Sequence, residues 1–566
     1  MERSTLLKII IGAVLTMAIV AALLLAVKQK FTENLDEADV SHSEEYSALP
    51  EDEALFIMEK DTDPVRCIIR DGEPYLPFDF VTSVFNDGFF WDEDENICFY
   101  VLPEAIMKFY AGGKNYHYNG ALSSEEVAPV IVENGERFMS MHFCEKYSDV
   151  KFSYYEDPAR IVANHGSNEY LFYRTVDDAP LHIGPDIKSG VLLTLSADSE
   201  VYYISGNAKS SRDFLKVMTA DGIFGYVQKK HVGESYYDLR SVAKKKLNGF
   251  YCMYDGTVKL GWHLVASEAG NVTYDDVVKR AEGMNVISPT WLKLSSEDGD
   301  ITSIGSAEYV EKAHEAGLKV WILIDNFDDE VSSHETLANT DSREKLEANL
   351  VAETQRLGAD GINIDFEALA QKTGVYFVEF LKELSVRCHF AGLTLSVDDY
   401  VPSAYRSYYD LETQGKYVDY VILMAYDEHY AGSPTAGSVS SIGYVRDAIT
   451  NCLEMVNKEH IMVGLPFYTR LWRENAAGVS SEAMTMRNQM DYISENNIEL
   501  TWDEETAQNY AEFKVGGVVH KMWVEDSRSL SYKLSAAANA DIGGVAFWRL
   551  GQETDDIWQL INMVFE

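Results

Sequence analysis

Apolar residues recur along this chain with two different periods, and the sharpest change between them falls around residues 340–390. From about residue 342 to 357, apolar and charged positions follow the 3.6-residue repeat of an amphipathic helix, and a second such pattern runs from about 376 to 390. Between them residues 360–367 alternate strictly. Ile362, Ile364 and Phe366 fall on one side of an extended chain, and Asn363, Asp365 and Glu367 on the other. Helix, strand, helix predicts a parallel sheet covered on its faces. The polar side of that strand then faces a barrel or crevice, where a carboxylate is costly unless it is used or paired.

The same alternation of apolar run and helical pattern extends over residues 248–566. Runs at 250–253, 285–291, 319–325, 360–367, 393–397, 419–427, 461–466 and 543–548 make eight strands. They predict an α/β fold, a (β/α)8 TIM barrel with its chemistry at the C-terminal ends of the strands. Glu367, Tyr426, Asp427 and Trp548 fall at those ends. Residues 467–527 interrupt the repeat and predict an insertion that builds one wall of a groove.

Upstream the period is shorter. Residues 55–157 read as short strands, within which the segment from Gly72 to Val81 is echoed by the segment from Gly135 to Cys144, so a small duplicated α+β unit is predicted. Residues 158–235 read as about five strands separated by turns, suited to a small β-barrel. Residues 236–247, with Arg240, Lys244, Lys245 and Lys246, read as a solvated linker.

Residues 9–27 carry no charge and are long enough to cross a hydrocarbon core. The run is long for a signal peptide and no small-x-small cleavage site precedes Lys28, so residues 1–30 are expected to be an uncleaved membrane anchor. Its short tail is expected in the cytoplasm and residues 31–566 outside. The acidic stretch 31–54 would stand the folded parts off the bilayer.

Composition narrows the partners. Of the 566 residues 46% are hydrophobic, which is globular, and 48 Lys+Arg against 91 Asp+Glu give a net charge of -43 that argues against nucleic acid. Cys67, Cys98, Cys144, Cys252, Cys388 and Cys452 are scattered with no C-x-x-C, so no zinc or redox motif and no cofactor is expected. Cys252 and Cys388 read as core residues. Disulfides among the first three stay open.

Chemistry concentrates on the alternating strand. Two carboxyls at i and i+2 on one face cannot easily both ionise, so one is expected to hold a proton near neutral pH, as a general acid must. The pattern Asp360-x-x-Asn363-x-Asp365-x-Glu367 resembles the signature of glycoside hydrolase family 18, the chitinase and N-acetylglucosaminidase family, with Asn363 where the family usually has a second aspartate. Met424-Ala425-Tyr426-Asp427 is similar to a second motif of that family, and Trp548-Arg-Leu-Gly resembles its strand-eight tryptophan. The resemblance implies Glu367 as general acid, Asp365 as the group that orients the substrate's acetamido nitrogen, and Tyr426 as donor to the acetamido carbonyl. It implies glycan contacts for Asp360, Asn363, Met424, Asp427 and Trp548, and no metal. Trp291, Trp321 and Trp523 read as core or rim.

The Asn363 variant, the segment Met522-Trp-Val-Glu-Asp and the Trp548 ending resemble the spore-germination, cortex-hydrolysing branch. That implies hydrolysis at N-acetylglucosamine in peptidoglycan, with chitin as the alternative glycan and an inactive wall-binding barrel as the non-enzyme alternative. Residues 55–157 look like the stalk domain of copper amine oxidases. Residues 158–235 resemble a bacterial Src-homology-3-like domain.

Overall fold

The computed structural model describes residues 3–32, 36–42, 45–46, 49–58, 61–205, 213–244 and 251–565. They cluster into two compact units, Met1–Tyr100 with Lys108–Lys246, and Leu247–Glu566 with Val101–Met107.

The first unit begins with a helix, Arg3–Phe31, whose stretch Ile10–Lys30 is fully exposed and has a mean hydropathy of 2.8. Its 21 residues span about 30 Å, long and apolar enough to cross a bilayer. Two seven-stranded sheets follow. The first is ordered Val150–Glu156, Ala159–His165, Glu53–Met58, Asp61–Arg70, Glu73–Pro77, Glu136–Ser140, Val130–Glu133. The echoed segments fold alike. Gly72 and Gly135 turn with φ of 82° and 81°, and each leads into a strand, Glu73–Pro77 or Glu136–Ser140, and then a seven-residue helix, Phe78–Val84 or Met141–Tyr147. The two strands pair antiparallel, so the duplication is also a pairing unit.

The strand Ala159–His165 pairs parallel with Glu53–Met58 and antiparallel with Val150–Glu156. It therefore belongs to the first sheet, and the boundary expected at 157/158 falls one strand too early. The second sheet is wholly antiparallel with seven strands: six lie within 158–235, where about five were expected, and the seventh, Tyr236–Ser241, pairs with Ser167–Arg174 in the stretch expected to be a linker. All six cysteines are free thiols, and Cys67, Cys98 and Cys144 are each buried, so the disulfides left open by the sequence are not formed.

The second unit is a closed parallel barrel. Its strands are β1 Val258–His263, β2 Val286–Leu294, β3 Lys319–Asp325, β4 Gly361–Asp365, β5 Thr394–Tyr400, β6 Tyr420–Met424, β7 Ile461–Pro466 and β8 Gly544–Trp548. Each pairs with the next, and β8 closes on β1. Seven strands lie where apolar runs predicted them. The first does not: residues 251–254 are not a strand, and Phe250 lies outside the described residues. Instead the Cys252 N–H donates to Asp419, its carbonyl accepts from Thr394, and the Tyr254 N–H donates to the Tyr420 hydroxyl. The segment thus runs past the starts of β5 and β6, while Val258-Lys-Leu-Gly-Trp-His, with its alternating Val258, Leu260 and Trp262, supplies β1.

Strand parity sorts the side chains. Val258, Leu260, Trp262, Val286, Trp321, Leu323, Tyr420, Ile422, Met462 and Ala546 pack together inside the barrel, with Trp321 stacked on Tyr420 at 5.3 Å. Ile362, Ile364 and Phe366 point outward into the layer shared with the helices, where Phe366 stacks on Phe377 and Phe380. Asn363 and Asp365 are thereby turned inward. The interruption after β7 is a five-stranded antiparallel sheet with the helix Met486–Glu495, and its strand Tyr468–Asn475 starts at the barrel rim.

Candidate active site

Glu367 lies two residues past the end of β4 and is half-buried. Its backbone is clamped by Asn326, whose Oδ1 accepts from the Glu367 N–H at 2.9 Å and whose Nδ2 donates to the Glu367 carbonyl at 3.0 Å. Its carboxylate accepts from the Tyr400 hydroxyl at 2.9 Å, and that hydroxyl accepts in turn from the Ala368 N–H. Arg406 sits 3.4 Å over the Tyr400 ring. Burial pushes the Glu367 carboxyl above the usual glutamate range; the Tyr400 bond opposes this and Asp427 adds to it. The result is an acid that keeps its proton to higher pH than an ordinary glutamate.

Asp365 ends β4 and is 6% exposed. Burial raises its carboxyl well above the aspartate range, and Asp398, Glu367 and Asp325 raise it further. Its Oδ1 is buried without a hydrogen-bond partner among the protein atoms. Tyr426 lies two residues past β6, its phenol pushed up by desolvation and then by Asp365 and Asp398, so it stays a hydroxyl donor. Met424 closes β6 and is buried. Asp427 has φ of 53°, in the left-handed region, and accepts from the Tyr468 hydroxyl at 2.7 Å, with Arg470 Nε at 4.0 Å. The insertion therefore supplies two side chains to this end of the barrel. Trp548 ends β8 edge-on to Trp262, with centroids 6.0 Å apart.

Asn363 is fixed on both sides. Its Oδ1 accepts from Trp262 Nε1 at 2.9 Å and Ser288 Oγ at 3.1 Å, and its Nδ2 donates to Asp398 at 2.9 Å. It lies one layer below Asp365 and is fully buried, so it supports the site from beneath.

Asp360 is the exception. It precedes β4, and its carboxylate takes Lys319 Nζ at 2.7 Å, His314 Nε2 at 2.7 Å and the Val320 N–H at 2.9 Å. These partners stand at the N-terminal end of the barrel, opposite Glu367, so the expected glycan contact is not met. Its carboxylate serves as an anchor at the barrel floor. The hydrogen bonds and Lys319 hold its pKa below the usual value against the opposing effect of burial, so this anchor weakens as pH falls through that lowered value. Asp360→Asn is expected to lower the melting temperature by a few degrees, about 1–2 kcal/mol, with kcat of the folded enzyme unchanged; a large fall in kcat at full folding would return Asp360 to the site.

Tyr400 gives a second test. Its hydroxyl favours the Glu367 carboxylate, so Tyr400→Phe raises the Glu367 pKa further and moves the basic limb of the pH–rate profile upward. An unmoved or lowered limb would show that the limb belongs to another group.

Tyr400, Asn326, Asp398, Tyr468 and Arg470 were not expected from the sequence. The apolar signal of β5 stops at Val397, and Asp398-Asp399 beyond it reads as a loop, although the strand continues to Tyr400. Asn326 follows the β3 run, where an asparagine carries no distinguishing pattern. Trp291 and Trp321 are buried core residues, as expected, and Trp523 is half-buried with its indole N–H on Asp503.

The sequence profile of Glycosyl hydrolases family 18 matches residues 281–553. The chain is 26% identical over 257 residues to the cortical fragment-lytic enzyme of Bacillus subtilis (strain 168), covering 43% of this chain and 59% of that protein. The chain spans between about half and three-fifths of the length of the first curated relatives it matches. Among solved structures it resembles the Bacillus cereus spore cortex-lytic enzyme SleL, at 20% identity and a TM-score of 0.50 over 59% of this chain and 78% of that one. A chitinase of Chromobacterium violaceum ATCC 12472 aligns at 23% identity and a TM-score of 0.50, covering 55% and 99%. Those likenesses establish the barrel fold. The profile spans β2 to β8, so it is the C-terminal barrel of this chain that is similar to the family 18 glycoside hydrolases.

Proposed function

We propose that this chain is a membrane-anchored glycosidase that hydrolyses β-1,4 bonds at N-acetylglucosamine in peptidoglycan, with retention of configuration. The observation that carries the reading is the pairing of Glu367, raised in pKa and held by Tyr400 and Asn326, with Asp365, buried and two residues earlier on the same side of the chain. Glu367 gives its proton to the leaving glycosidic oxygen. The substrate's own acetamido oxygen attacks the anomeric carbon, which is the exception to the two-carboxylate scheme. Asp365 accepts from the acetamido N–H and stabilises the charge that grows there, while Tyr426 donates to the acetamido carbonyl. Trp548 offers a face for the sugar ring, and Asp427 a hydroxyl contact.

The peptidoglycan assignment is supported by the cortical fragment-lytic relatives, and the anchor by the helix Arg3–Phe31. The stalk-like and Src-homology-3-like resemblances of the first unit fit a reach from membrane to wall. The test is muropeptide analysis of purified peptidoglycan, spore cortex and chitin oligomers after incubation with the full chain in detergent. New reducing ends at N-acetylglucosamine from peptidoglycan or cortex are expected. Cleavage of chitin oligomers alone would make it a chitinase, and retained pull-down with no cleavage would make it a binding protein.

A further inference from the structure

The loop after β5 carries an arginine whose charge nothing in the chain neutralises. Arg406 lies in the turn Ala404–Tyr409 and is exposed. Its guanidinium rests on the face of the Tyr400 ring, 3.4 Å from the centroid, and the hydroxyl of that ring holds the Glu367 carboxylate. A guanidinium stacked in this way keeps its in-plane N–H donors at the edges, where they fit both oxygens of a carboxylate. Among the described residues no acceptor takes those donors and no carboxylate pairs with the charge. The acids of this end of the barrel and of the same loop are engaged elsewhere: Glu367 accepts from Tyr400, Asp427 from Tyr468 and Glu428 from Ser441, and Glu412 pairs with Lys416. In a chain with 91 acidic residues against 48 basic ones, a cation left open beside the acid argues for an anionic ligand.

The place of Arg406 says which part of a substrate it meets. Burial raises the Glu367 carboxyl, and Arg406 is among the groups that pull it back, so its charge reaches the acid. Glu367 gives its proton to the leaving oxygen, so the departing sugar lies against the flank of Glu367 that Tyr400 and Arg406 form. That flank is on β5, three strands round the barrel from Trp548 on β8. In peptidoglycan the sugar that follows N-acetylglucosamine carries a lactyl arm, which ends in a carboxylate or bears a peptide with carboxylates of its own. Chitin has neither. An anionic arm approaching a chain of net charge -43 is repelled unless a cation meets it.

We propose that Arg406 binds a carboxylate on the arm of the leaving sugar and thereby sets a preference for peptidoglycan over chitin. The inference rests on the peptidoglycan reading above and adds to it the residue that makes the choice. The contact is made equally in the bound state and the transition state, so it acts on KM more than on kcat. Being exposed, it weakens as salt rises.

The test uses the full chain in detergent and four soluble substrates: peptide-bearing glycan strands, strands stripped to the free lactyl carboxylate, stripped strands with that carboxylate converted to its methylamide, and chitin oligomers. Wild type is expected to favour an anionic strand over the neutral one by about five- to tenfold in kcat/KM, through KM. Arg406→Gln is expected to erase that ratio and Arg406→Lys to keep part of it, having the charge without the plane. Any effect of the variant through Glu367 falls on all four substrates alike and divides out. A preference confined to peptide-bearing strands assigns the stem-peptide carboxylates, and one confined to stripped strands the lactyl group. A ratio unchanged in Arg406→Gln overturns the proposal. So does an equal loss on all four substrates with a moved basic limb, which would make Arg406 a support for Tyr400 alone.

Affinity separates this from the glycosidase reading. Dissociation constants of the anionic and neutral strands are compared in Glu367→Gln and in Glu367→Gln/Arg406→Gln. Tighter binding of the anionic strand in the first, lost in the second, is expected. The same result with a wild type that cleaves nothing would sink the glycosidase reading and leave the carboxylate site standing. Cleavage of peptidoglycan with equal affinity for charged and neutral strands would do the reverse.

Discussion

Glu367→Gln is expected to lower kcat about 10²- to 10⁴-fold while leaving the melting temperature and glycan affinity close to wild type. Glutamine keeps the size of the side chain, and its amide oxygen still accepts from Tyr400. The Asn326 clamp acts on the backbone of residue 367, so it survives the change. What is lost is the proton. Because Glu367 is raised in pKa by burial, the wild type holds that proton to higher pH than an ordinary glutamate would, and its rate falls as pH rises through the Glu367 value. In the variant the basic limb assigned to this group disappears, and the residual rate becomes flat there. KM is expected to change little, since the lost interaction is made only in the transition state. Product analysis with peptidoglycan at several pH values checks both points. A variant with wild-type turnover and the same basic limb would remove Glu367 from the acid role.

The barrel was legible because burial on both faces leaves apolar runs that stand out against helical patterns, and seven of eight strands follow them. The first strand failed for a local reason. Phe250-Tyr-Cys-Met is as apolar as a strand, but the Cys252 amide and carbonyl are used by Asp419 and Thr394, and the strand itself carries Lys259 and His263. Motif residues were legible where position along β4 set their direction, as for Asn363 and Asp365. Asp360 shows the limit: sequence spacing placed it in the motif, but only the strand's starting point reveals that its carboxylate belongs to the opposite end of the barrel. Asp398 and Tyr400 were hidden for the converse reason. Inward polar residues at the end of a strand look like the loop that follows them, and their partners, Asn363 and Glu367, are more than thirty positions away in the chain.

The largest stability effect is expected far from the groove, between the helices Thr340–Leu357 and Gly374–Ala391. Arg343 is fully buried there. Its guanidinium donates to the Leu337 carbonyl at 2.8 Å and to Glu383 Oε1 at 3.1 and 3.3 Å. Glu347 meets Arg387 at 2.5 Å and Glu379 meets Lys382 at 2.6 Å, so three carboxylates and three cations share one dry layer. Such a network returns little net stability when intact, but removing one charge leaves its partner buried and uncompensated. Arg343→Met is expected to cost about 3–5 kcal/mol, a fall of about 5–10 °C in melting temperature for a unit of this size. Arg343→Met/Glu383→Leu should lose less than the single variant, because no unpaired charge remains and apolar volume fills the site. The pH dependence has a defined sign. Burial and then Glu383 raise Glu347 well above the usual range, and Arg343 opposes this. A carboxyl raised in the folded state contributes stability below its unfolded pKa and loses it as pH rises through the folded value. Without Arg343 the Glu347 carboxyl rises further, so the deficit of the variant should be largest near neutral pH and shrink under mildly acidic conditions. Thermal melts of the full chain at both pH values decide it, and a single variant as stable as wild type at neutral pH would show that the remaining cations, Arg387 and Lys382, suffice to hold the layer.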